Sequence, residues 1–396
     1  MIIRMAKPEE LDRVNEVTAM SFGFIKRDLA PFKIGMRNRY RWVVMEDDDK
    51  EMMSTLIVND YQQTFDGNSC RMGGIGGVAS LPQYRRKGCI RACFNKILAD
   101  MYETGFDFSY LFPFSTAYYR QFGYENGVRS YLVSLQIGSL HHFRADGQYR
   151  LMEKTNPMTE AVRTIRSRWE QEYNMMIRFR EEDYDWTKAV DPAGTMEYSY
   201  VYFAADGTPK AYTTYKPEQT PEGMCLNCSR FCFADKEGFS GLMQLFRSMA
   251  ANYRLVKFEL PGLPGMLHLL PEVSLGMADI RVASPGMVRV VNVRSVLQKA
   301  KYRGSGRVVL QIQDLQVPEN NKTFAVTFAG GKAVSVSETE EAPDAVMDIA
   351  SFSSMIIGSC DFEDGKNQFG GLTVCNESAC FDRVFYSKKL LIQEHF

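Results

Sequence analysis

The sequence predicts an α/β (α+β) protein with more than one domain, and two observations lead to this prediction. The chain has 396 residues, whereas one hydrophobic core usually organises roughly 100 to 150, so two or three domains are expected. Segments with the spacing of strands alternate with segments whose apolar residues recur at helical spacing. This order indicates helices packed on sheets.

The first third of the chain shows the alternation most clearly. Leu11, Val14 and Val17 share one helical face, and an apolar stripe around Phe94 marks a second, amphipathic helix. Between them lie strand-like segments, one pair of which is joined by a turn at Asp66. The predicted order is a helix at 8–20, strands at 41–48, 51–67 and 68–81, a helix at 86–103, a strand at 106–114 and a short helix at 115–122.

Beyond residue 138 a similar order returns, but without a basic, glycine-containing segment before its second helix. From about residue 285 strands and helices alternate again, as in an α+β packing domain. We therefore predict domains over 1–138, 139–284 and 285–396. Their predicted elements are helices at 158–175 and 238–253, a hairpin at 197–216, a strand at 254–261, a strand and helix at 287–300, strands at 307–317 and 321–338, and a helix at 345–359.

Charge and hydropathy exclude several function classes. Lys and Arg number 47 against 48 Asp and Glu, a net charge of -1, so no global basic field favours nucleic acid. The charged N-terminus lacks the apolar run of a signal peptide, and no segment approaches the roughly 18 apolar residues of a membrane span. We expect a cytoplasmic protein without a membrane partner.

The nine cysteines favour reduced thiols, since their number is odd and no export signal precedes them. Cys225, Cys228 and Cys232 have the spacing of zinc ligands, but no fourth Cys or His follows within thirty residues. The alternative, a half-buried strand with small apolar thiols, is favoured. With only four histidines in the chain, we expect no metal site.

Residues 73–93, GGIGGVASLPQYRRKGCIRAC, place four glycines and a short strand directly before a basic helix start. Glycine lets another backbone approach closely, and the first amides of a helix attract an anion. Arg85, Arg86 and Lys87 add positive charge there, so residues 85–90 are typical of a phosphate cradle. A solvated basic helix start is the alternative, because short glycine motifs also recur by chance.

A second segment, AYYRQFGYENG at 117–127, follows the strand that ends near Pro113. A tyrosine here, such as Tyr119, suits protonation of a departing thiolate, because the pKa values of a phenol and a thiol lie near ~10 and ~8.5. The alternative is an interior aromatic residue with a satisfied hydroxyl.

In this order the two segments resemble the enhanced intracellular survival family of bacterial GNAT acetyltransferases. The matching residues are Val78 to Pro82, Arg85 to Ala92 and Tyr119 to Tyr124. The resemblance covers the whole chain and implies tandem GNAT acetyltransferase folds followed by a sterol-carrier-protein-like α+β domain. The first GNAT fold is implied to be active, the second to be degenerate, and residues 287–297 to enter the last domain.

The resemblance also implies the site residues. Tyr119 is implied to be the acid, and the α-carboxylate of Phe396 the base, since family chains end in an aromatic residue whose carboxylate reaches the active site. Glu394 and His395 remain competing local bases. The implied cofactor-binding residues are Val78, Ala79, Ser80, Arg85, Arg86, Lys87, Gly88, Cys89 and Ile90.

The implied function is acetyl-CoA-dependent N-acetylation of a small-molecule amine by direct transfer in a ternary complex. Family amines are cationic aminoglycosides or lysines, and a polyamine is a further possibility that the sequence leaves open. Asp28, Glu46 and Asp107 are candidates for an acidic substrate pocket or, alternatively, solvated surface. A homo-oligomer, a hexamer or a trimer-based assembly, is also implied.

Two other functions stay open. A catalytically silent CoA-binding sensor or regulatory assembly protein would keep residues 85–88 but would not need Tyr119 or a free chain end. A lipid carrier would use the C-terminal domain, although the charged stretches SETEEAPD and CDFEDGK interrupt that segment. Cys89 and Cys93 lie beside the cradle, but no histidine near in sequence supports a covalent intermediate on either thiol.

Overall fold

The computed structural model describes residues 1–24, 39–46, 51–270, 273–274, 276–283, 286–394 and 396. Contacts divide the chain into two compact units, residues 1–128 with 285–388 and 392–396, and residues 129–284 with 389–391. The division into three domains at 138 and 284 stays a prediction. In the described ranges, no helix combines the length and the apolar character that a membrane crossing requires.

In the N-terminal part of the first unit, the structure confirms the predicted order from the first helix to the short helix at Thr116–Arg120. It adds two strands that were not predicted, at Ile2–Met5 and Glu125–Asn126. Val14 and Val17 turn one face of the first helix into the core, and Phe94 and Ile97 do so for the second. In chain order the elements are β1 (Ile2–Met5), α1 (Leu11–Phe22), β2 (Arg39–Met45), β3 (Met52–Phe65), β4 (Asn68–Ser80), α2 (Cys89–Glu103), β5 (Phe108–Leu111), α3 (Thr116–Arg120) and β6 (Glu125–Asn126). Strands β1 to β4 are antiparallel neighbours, and β5 runs parallel to β4.

The second unit has its own sheet and its own core. Its elements are β7 (Ser130–Gln136), β8 (Gln148–Leu151), α4 (Thr159–Glu172), α5 (Asp185–Lys188), α6 (Pro192–Thr195), β9 (Tyr198–Phe203), β10 (Pro209–Thr220), β11 (Gly223–Phe233), α7 (Lys236–Ser248), β12 (Leu255–Pro261) and β13 (Ala278–Ala283). The strand order is β13-β7-β12-β11-β10-β9-β8. Cys225, Cys228 and Cys232 lie on β11, which confirms the predicted strand.

The first helix after the hairpin of the second unit has a carboxylate at its start. Asp235 caps α7, and its carboxylate accepts a hydrogen bond from the Gly238 amide at 3.0 Å. The same carboxylate pairs with Lys210 at 2.6 Å. A carboxylate therefore already occupies the helix start that would otherwise attract an anion.

The C-terminal part of the first unit contributes to two sheets. Its elements are β14 (Met287–Val290), α8 (Val293–Lys299), β15 (Gly306–Gln313), β16 (Thr323–Ala329), β17 (Lys332–Glu338), β18 (Ala345–Asp348), α9 (Ile349–Ile357), α10 (Phe362–Gln368) and β19 (Leu372–Val374). Strand β14 pairs with β5 and β6, so the N-terminal sheet has the order β1-β2-β3-β4-β5-β14-β6. The other strands form a sheet of order β17-β16-β15-β18-β19.

In the C-terminal part of the first unit, two element predictions were wrong. The strand that begins at Met287 was expected to enter the C-terminal domain, but its buried side chains complete the N-terminal sheet. The helix predicted over 345–359 begins only at Ile349, because Ala345 and Met347 are buried in a strand between β15 and β19. Asp348 ends that strand and caps α9.

A fully buried ion pair fastens β14 to its surroundings. The Arg289 guanidinium donates to both carboxylate oxygens of Asp314, at 2.6 and 3.1 Å. It also donates to the carbonyl oxygen of Phe122 at 2.9 Å. Asp314 in turn accepts a bond from the side-chain amide of Asn320 at 2.9 Å. The pair thereby joins the C-terminal part of the chain to the segment that contains Tyr119.

Candidate active site

The glycine-rich strand β4 separates from β5 at about the middle of its length. Its parallel pairing with β5 ends where Ile75 lies opposite Leu111, although β4 continues to Ser80. Next to this point its register against β3 shifts, and Gly77 has a left-handed φ of 56°. Gly76, Ala79 and Ser80 therefore pair only with β3, and Gly77 and Val78 lie at the register shift between them. The other backbone edge of residues 76–80, here called the open edge, can bind an extended ligand.

Two of the glycines let the last residue of the chain lie against this strand. A Cβ atom at Gly74 would stand 2.5 Å from the Phe396 ring. One at Gly76 would stand 2.9 Å from the Phe396 main-chain carbonyl carbon. Contacts below 3.0 Å are not tolerated, so a side chain at either position would displace Phe396.

Aromatic rings surround Phe396, and the sequence analysis missed them. The ring centroids of Tyr61 and Phe112 lie 5.2 Å from that of Phe396, and the centroid of Tyr110 lies at 6.4 Å. The one signal in the sequence is the i, i+2 spacing of Tyr110 and Phe112, which places both side chains on the same face of an extended chain. Their contact with Phe396, far away in sequence, could not be read from it.

The predicted phosphate cradle contains two residues with a left-handed conformation and a helix start without a side-chain cap. Arg86 has a φ of 63° and Gly88 one of 80°, so α2 starts at Cys89 and not at Arg86 as predicted. Gly88 has no side chain to cap the helix, and the first intrahelical donor is the Ala92 amide, which bonds the Gly88 carbonyl oxygen. The amides before Ala92 therefore point out of the helix start and can bind an anion.

The cations of the cradle are available to a ligand. Arg85, Arg86 and Lys87 are exposed, and none of them has a carboxylate partner within the described part of the chain. The Lys87 ammonium lies 4.9 Å from the centroid of the Tyr84 ring. Arg91 extends to the side chain of Gln121 at 2.6 Å. These charges suit an anion with several phosphate groups.

Tyr119 lies on α3, which Ser115 caps through a bond from the Tyr118 amide. It is only 3% exposed and packs among the rings of Phe94, Phe114 and Tyr118, with centroid separations of 5.9, 5.5 and 5.3 Å. Burial raises the pKa of Tyr119 well above its usual value. The hydroxyl is therefore protonated at neutral pH, although its proton transfer to a thiolate is less closely matched than the free phenol suggests.

These parts meet in one cavity of about 1050 Å³. Its walls contain Tyr119, Phe396 and all the predicted cofactor-binding residues except Lys87, which are Val78, Ala79, Ser80, Arg85, Arg86, Gly88, Cys89 and Ile90. Tyr118, Phe112 and Phe114 also line it and were not predicted. Their sequence signal, an aromatic cluster after β5, was present but was assigned to Tyr119 alone.

The acidic candidates do not contribute to the described walls of this cavity. Asp107 is buried, and its carboxylate bonds the Lys299 ammonium at 2.7 Å and the Arg71 amide at 3.0 Å. Glu46 is exposed. Asp28 and His395 lie outside the described residues.

The cysteines beside the cradle differ in position. Cys89 lines the cavity at the start of α2 and is 2% exposed. Cys93 lies in the apolar core, where burial raises the pKa of its thiol to about 12. In the described ranges, no group of three or more His, Cys, Asp and Glu side chains is arranged to hold a metal ion.

Comparisons with known proteins agree with this geometry. Residues 2–127 match the family described as acetyltransferase (GNAT) domain, and residues 293–388 match the sterol carrier protein domain. No curated protein sequence matches the chain at a significant level.

Several solved structures share the fold over the full chain. A GCN5-related N-acetyltransferase from Anabaena variabilis has a TM-score of 0.84 at 20% identity, with 100% of both chains covered. A conserved protein from Enterococcus faecalis, described as a probable N-acyltransferase, has a TM-score of 0.84 at 18% identity, covering 100% of this chain and 99% of that one. Eis1 from Mycobacterium abscessus has a TM-score of 0.79 at 17% identity, with 100% of both covered.

GNAT domains use acetyl-CoA, and the cradle and open edge described above have the donors that its phosphates and its extended arm require. The chain therefore carries a GNAT acetyltransferase domain over residues 2–127 and a sterol carrier protein domain over residues 293–388.

Proposed function

We propose that the protein transfers the acetyl group of acetyl-CoA directly to an amine, within a ternary complex. The observation that supports this most strongly is the convergence of an uncapped helix start, an open strand edge, Tyr119 and Phe396 on one cavity. A cofactor-binding sensor needs only the first two of these features. The presence of all four favours catalysis.

In the proposed complex the amides at the start of α2 and residues Arg85 and Arg86 hold the phosphates. The open edge at Val78 to Ser80 aligns the pantetheine arm, and a main-chain N–H of Val78 or Ser80 polarises the thioester carbonyl. Together these contacts fix the acetyl carbon inside the cavity, where the amine can reach it.

Two residues handle the protons. The carboxylate of Phe396 accepts a proton from the incoming ammonium, directly or through a water, so that the neutral amine attacks the acetyl carbon. The new bond joins that nitrogen to the carbon, and the bond from the carbon to sulfur breaks. Tyr119 donates its hydroxyl proton to the sulfur, which leaves as the free thiol. The nitrogen loses its second proton after the attack, and this proton returns to the Tyr119 phenolate through a water. Phe396 releases the first proton to solvent, so the ammonium and acetyl-CoA give the amide, the thiol and one proton.

A covalent route through cysteine is less well supported. Cys93 faces the core, and its raised pKa disfavours the thiolate that a nucleophile needs. Cys89 lies at the cradle, where the phosphates are proposed to bind. Direct transfer needs neither thiol.

The test is amine-dependent thiol release from acetyl-CoA by the purified full-length protein. Aminoglycosides, polyamines, lysine peptides and arylalkylamines serve as acceptors, with a no-amine control and mass analysis of the products. We expect thiol release that matches N-acetylated product, with intersecting initial-rate lines when both substrates are varied. Parallel lines would contradict direct transfer. Tight acetyl-CoA binding with no product from any amine would favour the sensor.

We further propose a homo-oligomer, either a hexamer or a trimer-based assembly, and a second domain that lacks the cradle. Light scattering of the purified protein gives the subunit number. A monomer at micromolar concentration would contradict the assembly without affecting the proposed chemistry.

A further inference from the structure

We propose that the C-terminal part of the first unit binds the nucleotide end of acetyl-CoA, through Leu315 and Gln316. Both residues belong to the segment that matches the sterol carrier protein domain, not to the segment that matches the acetyltransferase domain. The inference rests on the proposed function, which places the phosphates of the cofactor at the start of α2. It gives the C-terminal part a second role in the site, besides the contribution of Phe396.

The turn that follows β15, residues 314–317, contacts the wall of the cavity. The side-chain amide of Gln316 donates a hydrogen bond to the main-chain oxygen of Gln121 at 3.0 Å. Gln121 lines the cavity, and its side-chain oxygen accepts a hydrogen bond from the Arg91 guanidinium at 2.6 Å. Arg91 lines the cavity as well. Polar contacts therefore connect this turn to the first turn of α2.

A buried carboxylate holds the turn in place. One carboxylate oxygen of Asp314 accepts hydrogen bonds from the main-chain amides of Gln316 at 3.0 Å and Val317 at 3.1 Å. The same carboxylate forms the buried pair with Arg289, and Val317 is fully buried in the core. The position of the turn beside Gln121 is therefore fixed before any ligand binds, which lowers the entropy that binding costs.

Leu315 lies in the middle of this turn and is 92% exposed. No other large hydrophobic residue in the described ranges has a larger exposed fraction. A single exposed apolar side chain is common on protein surfaces. Here, however, a fixed turn keeps the side chain in water next to a cavity wall, so that a flat ligand group at this place would cover it. Covering it is favourable, because apolar surface is removed from water.

The order of chemical groups in acetyl-CoA indicates which group lies here. The proposed complex places the acetyl group near Tyr119 and the pyrophosphate at residues 85–90. The adenosine follows the pyrophosphate and continues past the first turn of α2, where Arg91 is exposed. No carboxylate in the described part of the chain pairs with Arg91, so its charge suits the phosphate on the ribose. The adenine ring then lies against Leu315.

Calorimetric titration with two ligands tests the inference. The ligands are CoA and 4′-phosphopantetheine, which has the extended arm and one phosphate but lacks the adenosine bisphosphate. Leu315→Ser should raise the Kd for CoA about three- to tenfold, the range for loss of a partly buried leucine contact. The Kd for 4′-phosphopantetheine should stay at the wild-type value, because this ligand ends at the cradle. An equal increase for both ligands overturns the inference, and so does an unchanged Kd for CoA.

Two further variants separate a specific contact from a general loss of structure. Leu315→Trp offers the adenine a larger, flat surface and should lower the Kd for CoA about threefold, a gain that misfolding cannot produce. Val334→Ser is the matched control for Leu315→Ser, since Val334 is 67% exposed on β17 and does not line the cavity. If Val334→Ser weakens CoA binding as much as Leu315→Ser does, the inference fails.

Binding and turnover together separate this inference from the proposed function. CoA binding without acetyl transfer to any amine refutes the proposed function, and the comparison of Kd values still decides the role of Leu315. Acetyl transfer with the same Kd for CoA in the wild-type protein and in both Leu315 variants refutes the inference alone.

Discussion

The contact of Phe396 with Gly74 and Gly76 is the feature of the site that tolerates a substitution least. Gly74→Ala would place a Cβ atom 2.5 Å from the Phe396 ring, so the ring must move. We expect kcat to fall about tenfold or more, because displacement of the proposed general base removes part of the roughly 10²- to 10⁴-fold contribution that such a group makes. The Kd for acetyl-CoA should not change, since Gly74 does not line the cavity.

Gly370→Ala is the matched control, because nothing lies within 4 Å of a Cβ atom there. Steady-state kinetics and thermal unfolding of both variants separate displacement from misfolding. Wild-type kcat in Gly74→Ala would show that the position of Phe396 is unimportant for turnover.

Tyr119 and its neighbour Tyr118 provide a second comparison at the residue scale. Tyr119→Phe should lower kcat about a hundredfold while acetyl-CoA still binds, because the proposed general acid is removed and the packing volume is kept. Tyr118→Phe should have a much smaller effect. Burial raises the pKa of Tyr119, so in the wild-type pH profile this acid should not be lost below pH ~10. A fall of kcat with an apparent pKa below ~9 that disappears in Tyr119→Phe would contradict the assigned environment.

The sequence made individual residues of the site predictable only where they form a local pattern. Tyr119 and the cradle lie in short segments whose spacing indicates a role. Tyr61 and Phe112, by contrast, contact Phe396 across hundreds of residues of sequence. No local pattern encodes such a contact, so the ring cluster became visible only in the folded chain.

At the scale of elements, the start of α2 is the feature that distinguishes the N-terminal part of the first unit from the second unit, where the corresponding helix is α7. Gly88→Ala forces a side chain into a φ of 80°, which costs about 1 kcal/mol and disturbs the amides of the cradle. We expect the KM for acetyl-CoA to rise much more than the KM for the amine. Arg86→Gln should act in the same direction because it removes one phosphate partner.

Gly105→Ala is the control for backbone strain. Its φ is also 80°, it too has nothing within 4 Å of a Cβ atom, and it does not line the cavity. The two glycine variants should lose a similar free energy of unfolding in urea, whereas only Gly88→Ala should weaken the binding of acetyl-CoA. Equal KM values for acetyl-CoA in both variants would contradict the proposal that the cradle binds the cofactor.

Most elements could be predicted from periodicity, and the exceptions have physical causes. The beginning of α2 was placed three residues early because Arg86 adopts a left-handed conformation that its residue type does not indicate. Residues 345–348 were assigned to a helix because a short buried strand and a buried helix have the same apolar composition. In both cases tertiary contacts decide the local conformation.

At the scale of the whole first unit, the buried pair of Arg289 and Asp314 joins distant parts of the chain. Both side chains are 0% exposed, so Arg289→Met leaves a buried carboxylate without its cation. We expect a loss of about 3–5 kcal/mol in the free energy of unfolding, measured by urea denaturation. Adding Asp314→Leu should recover part of this loss, because the unpaired charge is then removed as well.

Arg281→Met is the corresponding surface control. Arg281 pairs with Asp279, but its side chain is 76% exposed, so no measurable change in stability is expected. A similar small effect for Arg289→Met would mean that the buried pair does not hold β14 in the sheet.

The sequence predicted the GNAT domain at the N-terminus and the sterol carrier protein domain at the C-terminus, but it did not predict the pairing of β14 with the N-terminal sheet. Residues 287–290 lie immediately before α8 and look like the first strand of a new domain. They pair instead with β5, about 180 residues earlier, because that sheet leaves an apolar position open between β5 and β6. A position of this kind is a property of the folded unit and has no local signature.

The central claim is that the carboxylate of Phe396 serves the transfer reaction, and one added residue tests it most directly. A glycine appended after Phe396 moves the carboxylate but leaves the Phe396 ring its place on Gly74. The account predicts a large fall in kcat for amine-dependent thiol release, with the acetyl-CoA Kd and the unfolding midpoint unchanged. Full kcat in the extended protein would contradict the claim and assign the base to another group.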